Sequence, residues 1–234
     1  LRRSMKNHAC HSCNEREAHA RFAERSDRLI RENEGLNNRV MNRTHVIAKT
    51  FDKICHVLTL LGYIEGEKLL PQGHILSKIY AESDLLLTES IRRGLLNELT
   101  PPELVSVASA MIFESRSQED LAPKIPTDNV ANTLASITRV WAELEDLEIE
   151  VGVKTQRSPD LGFCYMIYRW ANGSSLNQVL KGSDMSVGDF VRSTKQLVDL
   201  LGQIANAAPD LNKKCREAVK LIDRGVVTYL LGDI

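Results

Sequence analysis

Apolar residues recur at helical spacing along most of this chain, and strand-like patterning is confined to one short stretch. Residues 15–42 predict a helix with a narrow apolar stripe, in which Phe22, Leu29, Leu36 and Val40 return at roughly seven-residue intervals. Gly35 weakens its middle. Residues 44–61 predict a second helix, with Val46, Ile47, Phe51, Ile54, Val57, Leu58 and Leu61 at helical spacing and Gly62 as its stop. Residues 63–70 predict a small hairpin with a glycine in its turn, and Pro71-Gln72-Gly73 leads into a helix over 75–80. Further helices are predicted over 84–94, 103–113 and 130–148, and Thr100-Pro101-Pro102-Glu103 is a strong start signal for the second of them. Residues 115–129 and 152–160 read as connectors, and 212–231 as a closing helix.

The stretch 162–208 carries the most information. It reads as a helix with a glycine stop, a short capped helix, a second stop and a long amphipathic helix. On that last helix Asp189, Arg192, Gln196, Asp199 and Gln203 are spaced three and four apart in alternation, which sets them on one face. Val187, Phe190, Val191, Val198, Leu201, Ile204 and Ala205 are assigned to the core side. Ser186 with Asp189 resembles a capping box, with Asp in the place of Glu or Gln. The polar stripe has two readings. One is the solvated face that any amphipathic helix presents. The other is a rod laid along a polyanion, with Arg192 and Lys195 as cationic contacts.

Composition favours a mainly α fold. The 234 residues are 43% hydrophobic but only 5% aromatic, and Leu, Ile, Val and Ala suit helix-on-helix packing. Net charge is −1, unevenly spread: residues 1–45 hold ten Arg and Lys against six Asp and Glu, so the remainder carries −5. Affinity for nucleic acid therefore has to come from local patches. Five scattered cysteines argue against a disulfide framework and for a reducing, cytoplasmic setting. No apolar run is long enough to span a membrane. The chain opens Leu-Arg-Arg-Ser-Met, without an initiator methionine, which suggests a piece of a longer protein.

The motifs of nucleotide chemistry are missing from the sequence. There is no Walker loop, no DExH string after a buried strand and no dinucleotide fingerprint, so no cofactor is expected on this chain. His8-Ala9-Cys10-His11-Ser12-Cys13, with His19 close by, is the one metal-like cluster. Cys10 and Cys13 have zinc spacing, and His8 or His11 together with His19 is the best completion of a site. A second C-x2-C is absent, which favours an unliganded terminus over zinc. Cys164 reads as a core residue, and Cys215 sits among Lys and Arg that would lower a thiol pKa. Tyr165, Tyr168 and Trp170 are either base-stacking or core aromatics.

Several blocks in order resemble the DSHCT domain, the C-terminal helical domain of superkiller-type, HelY-like DExH-box RNA helicases. They are YRWANGSSLNQVL, SVGDFVR, QLVDLLGQIANAA and IDRGVVTY, with LGYIEGEKLLPQGHILSKIYAESDLLLTESIRRGLLNELTPPELVSVASAMIFESR upstream. The resemblance covers about residues 45–234. It implies an Arg-rich returning arm over 1–43, a winged-helix remnant over 44–80 and a helical bundle with a ratchet-like long helix over 81–234. It further implies a nucleic-acid-guiding role along a single-stranded RNA, supporting motor domains upstream in the same polypeptide. ATP and magnesium would belong to those motors, and RNA-degradation machinery is a candidate partner. Arg192 takes the position of the family's RNA-contacting arginine; Asp189, Lys195, Gln196 and Asp199 extend the same face, and Glu89 is a further candidate contact. Two other readings remain open: a helix-turn-helix DNA-binding regulator, and a structural scaffold.

Overall fold

The computed structural model describes residues 6, 8–115 and 123–229. The chain divides into two units, Leu1–Asp52 and Lys53–Ile234.

The first unit holds a short 3-10 turn, Ala9–Ser12, and most of the helix α1, Arg16–Leu60. The sequence predicts two helices meeting near residue 43, whereas one helix of 45 residues is found. No proline interrupts this stretch, and a single glycine costs about 1 kcal/mol. That is too little to break a ladder hydrogen-bonded on both sides. Phe22, Leu29 and Leu36, from the seven-residue stripe, are all exposed.

The second unit begins in the last two turns of α1, where Val57 is buried. Strands β1, Ile64–Glu65, and β2, Lys68–Leu69, pair antiparallel with Ile64 opposite Leu69. Helix α2 follows directly as Pro71–Leu76, earlier than predicted, because Pro71 at the first helical position is preset for helix entry. Gly73 allows this close return: a Cβ there would stand 2.4 Å from the Tyr63 carbonyl oxygen.

Helices α3, Asp84–Arg92, α4, Pro101–Ser109, and α5, Asp128–Val151, come next. Every residue of α4 from Glu103 to Ser109 is buried, as expected of a helix apolar or small on all sides. It packs against α5, and against α6, Cys164–Ala171, α8, Val187–Ala207, and α9, Asn212–Ile222. Its start is a capping box in which the Glu103 carboxylate accepts from the Thr100 backbone. The same carboxylate also accepts from Thr127 and Asn129 at the start of α5.

The short helix α7, Leu176–Leu180, has its own capping box from Ser175 and Gln178. The predicted closing helix is interrupted: α9 ends at Ile222 and α10 is Val226–Tyr229. Gly225 takes φ 54°, a conformation that other residues rarely adopt. Arg224, beside it, stacks 3.7 Å above the Trp170 ring and donates to the carbonyls of Trp170 and Ser174. These contacts fix the break. Trp170 itself is core, 3% exposed, and packs edge-on against Phe190. Among the described residues the fold is thus mainly α, a helical bundle with one hairpin.

Candidate nucleic-acid interface

Helix α8 is capped by Ser186, whose Oγ accepts from the Asp189 backbone at 3.0 Å and donates to the Asp189 carboxylate at 2.8 Å. The periodicity then decides what is buried. Phe190, Val191, Leu201, Ile204 and Ala205 enter the core as expected, and so do Thr194, Leu197 and Leu200. Buried Thr194 donates to the Phe190 carbonyl, so its hydroxyl is satisfied. Val187 is 47% exposed because it lies in the first turn, beyond the packed part of the helix.

The opposite face forms one wall of a groove of about 1120 Å³. Asp189, Arg192, Gln196, Asp199 and Gln203 all line it, so the stripe predicted from spacing is the lining of a concave surface. Lys195, one position off the stripe, is half-buried and lies outside that lining. Arg192 is 65% exposed, with Nη2 3.4 Å from Asp189 Oδ1. Gln203 donates to Asp199 at 2.7 Å and accepts from the Tyr80 backbone N–H at 2.7 Å. The last turn of the stripe is thereby tied to the segment between α2 and α3.

The facing wall comes from residues that no local pattern flagged. Arg157 pairs with Glu114 at 3.1 Å and Glu82 at 3.7 Å, and donates to the Phe113 carbonyl. Its placement follows from Glu148, a buried carboxylate at the end of α5 that accepts from the backbones of Thr155 and Gln156 and from the Thr155 hydroxyl. That folds the connector back and turns Arg157 toward the groove. Phe113, which lines the groove, stacks on the buried ring of Phe163 at 5.2 Å. The lining carries five carboxylates, Glu82, Glu114, Asp184, Asp189 and Asp199, against the guanidiniums of Arg157 and Arg192, a net charge of −3.

Other candidate residues fall elsewhere. Glu89 is fully buried in α3, and its carboxylate is taken up by the Tyr63 hydroxyl at 2.6 Å, by Arg92 at 2.6 and 2.8 Å and by Arg93 at 3.3 Å. A carboxylate used in this way is a core ion pair, and no face of it is open to a strand. Cys13 Sγ and His19 Nδ1 approach to 3.6 Å, and the Cys10 N–H donates to His8 Nδ1. Among the described residues no group of three or more His, Cys, Asp or Glu is gathered to hold a metal. Burial pushes the thiols of Cys164 and Cys215 up to about 11, in Cys215 against the effect of Lys214, so neither is an activated nucleophile. Tyr165 is exposed beside Arg169, whereas the tyrosine that stands at the groove is Tyr80. Among the described residues no helix is long and apolar enough to cross a membrane.

Compared with known families, residues 66–230 match the DSHCT (NUC185) domain. The chain is 35% identical over 248 residues to the probable helicase HelY of Mycobacterium tuberculosis, across 99% of this chain and 27% of that protein. It is 28% identical over 185 residues to the ATP-dependent RNA helicase mtr4 of Schizosaccharomyces pombe, across 73% of this chain and 16% of that protein. It is 27% identical over 184 residues to the human exosome RNA helicase MTR4, across 73% of this chain and 17% of that protein. The chain thus spans 27% or less of the length of these relatives.

Proposed function

This chain belongs to the DSHCT (NUC185) domain family, and from that premise we propose that it is the nucleic-acid-guiding domain of an ATP-dependent RNA helicase. In this reading α8 lines the path of a single strand. ATP and magnesium act in motor domains elsewhere in the same polypeptide, the substrate is single-stranded RNA, and RNA-degradation machinery is the candidate partner. The chain's own contribution is positional. The groove wall holds the strand while the motors step, and no bond is made or broken on it.

The observation that carries the reading is the coincidence of the α8 stripe with the groove: all five stripe residues line it. An ordinary solvated helix face would instead be convex and open. The helix-turn-helix alternative is disfavoured by two features. Helix α7 has only five residues, and α8 sinks nine of its residues into the core, leaving little helix to enter a major groove.

Fluorescence-anisotropy titration at low salt tests the reading, with a single-stranded RNA, a matched duplex DNA, the wild type and Arg192→Ala. The expected result is preference for the single strand and about tenfold weaker binding by Arg192→Ala, the size of a hydrogen bond to a charged group. Equal affinities of wild type and variant, or preference for the duplex, would contradict it.

A further inference from the structure

Tyr80 is the most exposed of the large hydrophobic residues described, at 79%, and it stands on the groove. Its backbone is held on both sides. The Tyr80 N–H donates at 2.7 Å to Oε1 of Gln203, the residue that ends the α8 stripe. Ile79, immediately before it, is 3% exposed and anchors the segment in the core. A tyrosine whose backbone is fixed while its ring lies in solvent has no folding reason to be aromatic, since the ring buries almost nothing.

We infer that Tyr80 is a base-stacking platform beside the last turn of the α8 stripe, taking the π-face of a nucleotide of the single strand that Arg192 contacts about three turns earlier on the helix. The inference rests on the RNA-guiding reading and names a second contact within it. Arg192 and Gln203 are 11 residues apart on α8, about 16 Å along the helix axis at 1.5 Å per residue. That span matches roughly five stacked nucleotides at about 3.4 Å each. The electrostatics point to bases here rather than phosphates. With five lining carboxylates against two guanidiniums, a phosphate chain laid along the floor would be repelled. A base brings no net charge, its amino groups can donate to Asp199, and its face can stack on the ring.

The test compares wild type, Tyr80→Ala, Tyr80→Phe and Arg192→Ala by anisotropy with a single-stranded RNA, and with an oligonucleotide of equal length carrying abasic positions throughout. Because the ring is exposed, thermal unfolding of both Tyr80 variants should match wild type. The expected result is a loss of between about fivefold and a hundredfold for Tyr80→Ala on RNA, from a stacking contact. Tyr80→Phe should retain affinity, and Tyr80→Ala should bind the abasic strand as wild type does. Arg192→Ala weakened with Tyr80→Ala unchanged would overturn the stacking platform and leave the guiding reading standing. Binding that depends on neither residue, or no binding, would overturn both. A Tyr80→Ala loss that persists on the abasic strand would also overturn stacking, because it would place the contact on the backbone.

Discussion

Glu89 joins three separate parts of the second unit through a single side chain. Its carboxylate receives the Tyr63 hydroxyl from the chain entering the hairpin, Arg92 from its own helix and Arg93 from that helix's C-cap; Arg93 continues to Glu143 of α5 at 2.7 Å. Burial alone would raise its pKa, but the hydrogen bonds from Arg92 and Tyr63 and the two guanidinium charges outweigh that and hold it below the ordinary 4.5. Glu103 is likewise held low: burial opposes, but the Thr100, Thr127 and Asn129 donors prevail. A carboxylate depressed in the folded state contributes stability that is present above its unfolded pKa and lost as pH falls through the folded one. The urea midpoint should therefore hold at neutral pH and decline below about pH 4.5. Glu89→Gln should cost about 2 kcal/mol at pH 7 and flatten that decline; breaking a buried pair costs more, but both arginines are partly solvated. A variant as stable as wild type, with the same acid slope, would refute the assignment. Nothing in the sequence hints at this role, since Tyr63 is 26 residues upstream and the LLLTES string does not show what faces it. Tyr80 is hidden in the same way. The contact that pins it spans 123 residues, so local periodicity assigns it only to the end of a helix.

At the scale of elements, caps and glycine stops were both legible where the signal is local: Gly62 and Gly94 take positive φ just past the ends of α1 and α3. Thr100-Pro101-Pro102-Glu103 and Ser186 mark the starts of α4 and α8, because a cap is a local hydrogen bond between neighbours in sequence. Where α1 runs on and the closing helix breaks, the outcome depends on what surrounds the backbone. Arg224 over Trp170 closes a contact across 54 residues and makes Gly225 a turn. Gly35 has no such neighbour: a Cβ added there would meet nothing within 4 Å, and the residue simply stays helical. Gly35→Ala should therefore stabilise α1 locally by about 1 kcal/mol. Hydrogen exchange should show roughly fivefold more protection of the neighbouring amides. Unchanged or reduced protection would mean that the glycine is held by something other than helix propensity.

For the molecule as a whole, helical periodicity and the scarcity of aromatics were sufficient for fold class, since both report on packing averaged over many residues. The polar stripe of α8 was legible because it lies on one helix. The groove that it lines was not, because its other wall comes from Tyr80, Glu82, Phe113, Glu114 and Arg157, residues from segments that meet only after folding. The overall charge also misleads at this scale. The basic balance lies in residues 1–45, with Arg21, Arg25 and Arg28 on exposed turns of α1, while the groove is acidic. Bulk electrostatics would send RNA to α1, whereas the proposed guiding role sends it to the groove lined by α8.

Photo-cross-linking separates these two destinations most directly. A single-stranded RNA carrying 4-thiouridine would be irradiated with the protein and the attachment sites mapped by mass spectrometry. The account predicts cross-links to peptides of α8 containing Arg192, Gln196 and Gln203, together with the peptide containing Tyr80. Cross-links confined to the Arg21–Arg28 stretch of α1, with none on α8, would contradict it.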